Sequence, residues 1–111
     1  MSDRIDDIVK ISPDVHKVLF ENHVIRVLEV TVKPGDTVPL HRNPENINYI
    51  LKPGTLRLID PDGSSVDVQL TEGQVIPAPV GQHAVENVGK TEVRTICIEL
   101  KSVDKARPSE P

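Results

Sequence analysis

The sequence predicts an all-β domain, a sandwich or barrel of antiparallel strands, and three observations carry that prediction. Valine contributes 16 of the 111 residues, isoleucine 10 and leucine 8, against three alanines. Such β-branched side chains are stiff in helices and pack well on a pleated sheet. Ten prolines are spread along the chain, and each would break or cap a helix. Nine short apolar runs follow one another, divided by turn residues and with no helical stretch between them, which is the pattern of a β sandwich or barrel. A chain of this length fits one domain and can bury a usable core without disulfides or a structural metal.

Taken in order, the predicted strands are 16–20, 24–32, 38–41, 46–51, 56–60, 66–70, 74–76, 83–88 and 93–100. Pro34-Gly35-Asp36 parts the second from the third, Pro53-Gly54 the fourth from the fifth, and Pro61-Asp62-Gly63 the fifth from the sixth. Glu72-Gly73, Val80-Gly81 and Gly89-Lys90 serve the later junctions. Glycine supplies a positive φ and proline presets its own, so these are turns with a mechanism. Gly35, Gly54, Gly73 and Gly81 accordingly read as turn glycines. Within the sixth run Val66, Val68 and Leu70 alternate with Asp67 and Gln69. Within the ninth, Arg94, Ile96, Ile98 and Leu100 alternate with Thr95, Cys97 and Glu99. One-sided burial of antiparallel strands produces that alternation.

The flanks differ in composition from this train. Residues 1–12 are charged, with Ile5, Ile8 and Val9 spaced as in a short amphipathic turn or a flexible arm; residues 13–101 form the domain; residues 102–111 have the composition of a disordered tail. Seventeen acids against 13 Lys and Arg give a net charge of −4, which repels nucleic acid and anionic membranes. Two aromatics, Phe20 and Tyr49, leave little to stack bases on. No apolar stretch approaches the ~18 residues of a membrane helix, and residues 1–10 lack the apolar segment of a signal peptide. The lone Cys97 forms no intrachain disulfide, so the expected compartment is the cytoplasm.

Two segments carry chemistry. The first runs Gly35-Asp-Thr-Val-Pro-Leu-His41-Arg-Asn43-Pro-Glu45-Asn-Ile47-Asn48-Tyr-Ile-Leu-Lys-Pro-Gly54, the second Gly73-Gln-Val-Ile-Pro-Ala-Pro79-Val-Gly81-Gln82-His83-Ala-Val-Glu-Asn87. They resemble the two cupin motifs, G-x5-H-x-H-x3–4-E-x6-G and G-x5-P-x-G-x2-H-x3-N. The resemblance spans residues 24–100, and the phrasing of the whole chain is similar to small single-domain microbial cupins. It implies a double-stranded β-helix, the jelly-roll barrel, and a homodimer. It also implies a divalent transition metal, Fe, Mn, Ni, Cu or Zn, held inside the barrel by imidazoles and a carboxylate. The departures are local. Asn43 stands at the second histidine, Ile47 or Asn48 at the glutamate, and Gln82 alone stands where two residues separate Gly81 from His83. The metal set therefore reduces to His41 and His83, with Asn43 as a weak oxygen donor; on an extended strand His41 and Asn43 share a face, and Glu45 joins them if the strand continues.

Further pocket candidates are Tyr49, Gln82, Arg26 and Arg94. Both arginines fall in register with aliphatic neighbours, as a side chain pairing with a substrate carboxylate would. His16 and His23 read as surface histidines, and Cys97 as a small hydrophobe. The six serines lie in terminal or turn-like sequence, which disfavours a Ser-His nucleophile. Two functions follow. One is a metal-dependent enzyme of dioxygenase or isomerase type, acting on a small aliphatic or carboxylate compound. The other is a metal-free cupin that binds or senses a small molecule.

Overall fold

A computed structural model describes residues 4–101. The elements in chain order are α1 (Ile8–Ile11), β1 (His16–Glu21), β2 (Ile25–Val32), β3 (Thr37–Asn43), β4 (Asn46–Lys52), β5 (Gly54–Ile59), β6 (Ser65–Leu70), β7 (Val75–Ala78), β8 (Gly81–Asn87) and β9 (Val93–Leu100). Every predicted strand is present within a few residues of its expected bounds. The tail expected at 102–111 lies outside the described residues.

The strands form two antiparallel sheets, one ordered β1-β2-β9-β4-β7 and the other β3-β8-β5-β6. They face one another as a barrel, the double-stranded β-helix that the two motifs imply. One buried cluster joins Leu28 and Val32 of β2 to Val38 of β3, and a second joins Ile50 of β4, Leu70 of β6 and Val93 of β9. Asn87, 2% exposed, pins one end. Its Nδ2 donates to the carbonyls of Val32 and Thr91, and its Oδ1 accepts from the Gly89 N–H.

Residues 4–12 lie against the barrel. Asp7 caps the single turn of α1 by accepting from the Val9 N–H, and Ile8 is buried in the core. The Asp6 N–H donates to the Arg42 carbonyl, and the Arg42 N–H donates to the Asp6 carboxylate. The turn packs on both β1 and β3, which are edges of different sheets, so it closes the seam between them.

Two local expectations are corrected. Gly35 and Gly73 do have positive φ, as does Gly63, but Gly54 and Gly81 do not and instead begin β5 and β8. Gly54 is required for space, since a Cβ there would come within 2.5 Å of Val93 Cγ2. The ninth strand also turns its more polar set inward. Thr95, Cys97 and Glu99 line the barrel interior, whereas Ile96 and Ile98 sit on the outer face of the five-stranded sheet. Cross-strand partners continue that outer face as one row, Phe20, Val27, Ile98, Ile47 and Pro77.

Candidate functional site

The interior holds a cavity of about 360 Å³, within the range of small-molecule pockets. Its polarity is graded by register. On β4 and β9 the inward pairs are Asn46 with Glu99, Asn48 with Cys97, and Ile50 with Thr95. On the opposite sheet Asn43 lies across from Gly81, His41 from His83 and Val38 from Val85. The amides, imidazoles and carboxylate thus collect at the end of the barrel where the β3–β4 connection, which crosses between the sheets, and the β7–β8 loop meet. Aliphatic side chains, Val32, Leu56, Leu70 and Val85 among them, fill the other end.

A bulge aims His41. The β3–β8 register shifts between Val38 and His41, where Pro39 cannot donate to the ladder. The extra residue puts Val38 and His41, an odd number of positions apart, on the same inward face. His41 is 4% exposed, and its Nδ1–H donates to the Pro39 carbonyl at 2.7 Å. The His83 ring meets it edge-on, centroids 5.0 Å apart and planes at 88°. Asn43 Nδ2 donates to His83 Nε2 at 3.0 Å. Burial, with the adjacent His41 adding to it against a weaker pull from Asp60, pushes the His83 pKa down to about 4, so the ring is neutral at pH 7.

His16, expected at the surface, is half-buried and lines the same cavity. Its Nδ1–H donates to the Ser12 carbonyl at 3.0 Å, and burial lowers its pKa against that bond. Only the pairing of His16 with Val30 across β1 and β2 shows its inward parity. The sequence hides it because a histidine just after the Ser12-Pro13-Asp14 turn looks the same on either face.

Of the other candidates, Gln82 lines the cavity at its exposed rim. Glu45 lies in the β3–β4 connection and is not part of the lining; its carbonyl accepts from the Leu100 N–H. Tyr49 is 44% exposed and faces outward, as does Arg94, which pairs with Glu92 at 3.0 Å; both follow from the reversed parity of β4 and β9. Arg26 is not in the cavity wall. Its Nε donates to Glu99 at 2.7 Å and its Nη1 to Asp7 at 3.1 Å. Cys97 lines the wall with its pKa pushed up to about 12, by burial first and then by Glu99, so its thiol is inert as a nucleophile.

These donors do not make a transition-metal site. Among the described residues no three His, Cys, Asp or Glu side chains stand close enough together to hold one ion. Of the two facing imidazoles, His83 has its Nε2 lone pair engaged by the Asn43 amide. The residue facing inward at the motif's glutamate position is Asn48, whose Nδ2 donates to Asn46 Oδ1 at 2.7 Å. An amide so placed supplies neither charge nor a strong ligand.

Comparison with known proteins yields no match to a family model and none among curated sequences. Solved structures do match. A cupin domain from Bordetella pertussis is 32% identical, with a TM-score of 0.73, over 78% of this chain and 92% of that one. An RmlC-like cupin with a double-stranded β-helix from Methanocaldococcus jannaschii gives a TM-score of 0.64 at 16% identity, over 83% and 84%. A predicted oxalate decarboxylase from Thermotoga maritima gives 0.58 at 25% identity, over 77% of each chain. The Bordetella domain shares a third of its residues across nearly its whole length, and on that likeness this chain belongs to the cupin family.

Proposed function

We propose that the protein is a metal-free cupin that binds a small organic molecule in its interior cavity. One observation carries this reading: the cavity is roomy and mostly aliphatic, while at its polar end one nitrogen of each imidazole is bonded to the protein and no three ligand side chains converge among the described residues. The Nδ1 of His41 serves Pro39, the Nδ1 of His16 serves Ser12, and the Nε2 of His83 serves Asn43. Second-sphere bonds ordinarily orient a histidine towards a metal. Here the one carboxylate of the lining, Glu99, is tied to Arg26, and one of the two facing rings is capped.

The second reading is a small metal-dependent enzyme, favoured by the likeness to the Thermotoga protein. Metal analysis separates the two. After growth with Fe, Mn, Ni, Cu and Zn supplements, purified protein is expected to carry well under one equivalent of any of them. Stoichiometric metal that disappears in both His41→Ala and His83→Ala would overturn the proposal in favour of the enzyme.

A further inference from the structure

We propose, building on the reading of the cavity as a ligand chamber, that its ligand is an uncharged aliphatic alcohol or a similar neutral hydrogen-bond donor, not a carboxylate or phosphate. The lining contains no lysine or arginine among the described residues, and its one formally charged member is the carboxylate of Glu99. Arg26, a largely buried cation bonded to the lining residue Glu99, is spent on Glu99 and Asp7. Arg42, paired across from Gln82 at the rim, is not part of the lining. An anion entering here would lose its hydration and meet no positive charge, at a cost that buried charges rarely recover.

The polar end instead presents acceptors. His41 and His16 each give up their Nδ1–H to a backbone carbonyl, which leaves the Nε2 lone pair of each ring. Asn48 gives one amide hydrogen to Asn46 and keeps its carbonyl oxygen, beside its second amide hydrogen. A hydroxyl or amide N–H satisfies such acceptors; a carboxylate repels them. A protonated amine is also disfavoured, because it would lose its hydration while the charge of Glu99 is already matched by Arg26. At ~30 Å³ per small group, the cavity of about 360 Å³ holds roughly a dozen non-hydrogen atoms. The sequence reading allowed a carboxylate ligand on the strength of Arg26 and Arg94, and neither reaches the cavity.

The test titrates the full chain with 1-hexanol, hexanoate and hexylamine at pH 7, following the methyl resonances of Leu56, Ile76 and Val85. Hexanol is expected to shift them at concentrations at least tenfold below either charged probe. In Gln82→Lys, which sets a cation at the rim, hexanoate is expected to gain at least threefold on hexanol. Hexanoate or hexylamine binding the wild type as tightly as hexanol would overturn the ligand class and leave the chamber standing. Failure of all three to move the cavity methyls would overturn the chamber and the ligand class together.

Discussion

Two half-buried histidines make stability depend on pH above the range where carboxylates titrate. His83 is pushed down to about 4 and His16 is lowered, in both cases chiefly by burial. The unfolded chain, with imidazoles near 6.5, therefore takes up protons first as the pH falls. Stability from this source is complete above the unfolded value, declines below it, and for His83 levels off once the pH passes the folded value near 4. Allowing for the solvent that still reaches the rings, the loss for His83 is about 2 kcal/mol across that window. Urea midpoints at pH 7 and pH 5 are expected to differ in the wild type, and to differ less in His83→Gln, which keeps only the contribution of His16. Equal slopes in the two proteins would place the acid sensitivity elsewhere. At this scale the sequence was legible for His41, His83 and Gln82, which the motif spacing singled out. It was silent for His16, because only the pairing of β1 with β2 brings that ring to the cavity.

At the scale of elements, α1 shows how little regular structure is needed to close a barrel. One helical turn, capped by Asp7, spans the seam between β1 and β3 and drops Ile8 into the core. Arg26 ties the segment down at Asp7 and carries the connection on to Glu99 inside the wall. Ile8→Ala removes a side chain that is 3% exposed and should cost about 2–3 kcal/mol in chemical denaturation. A change below about 0.5 kcal/mol would mean the segment rides on the surface. The strands themselves were legible, since apolar runs and turn residues are local signals. Their inward faces were not. On β9 the alternation is plain in the sequence, yet Ile96 and Ile98 point out while Thr95, Cys97 and Glu99 point in. Alternation separates two faces and does not say which one looks at a cavity. When the cavity is partly polar, the usual rule of apolar side inward reverses. The same reversal carried Tyr49 and Arg94 to the outside.

At the scale of the whole molecule, the reversed faces leave apolar side chains without cover. Phe20 is 53% exposed, Tyr49 44% and Val75 60%, and they flank Val27, Ile47, Ile96 and Ile98 in two adjoining rows across five paired strands. We propose that a second copy of this chain packs on that face. Five strands of this length span roughly 20 by 25 Å, a footprint that with its rim approaches the ~800 Å² per partner of a standard interface. The rim carries both signs, with Lys17 and Arg94 beside Glu29 and Glu92, so a two-fold axis can set acid against base. The β1 and β7 edges, which end the five-stranded sheet among the described residues, offer a smaller alternative in strand addition. Substitution in the row tells the two apart, because Ile98 lies on the central strand and touches neither edge. Sedimentation of the full chain near 100 μM should show a species of twice the chain mass, and Ile98→Lys, with its β circular dichroism intact, should sediment as a monomer. A wild type that is monomeric at that concentration, or an Ile98→Lys protein that remains dimeric, would remove the face-to-face dimer.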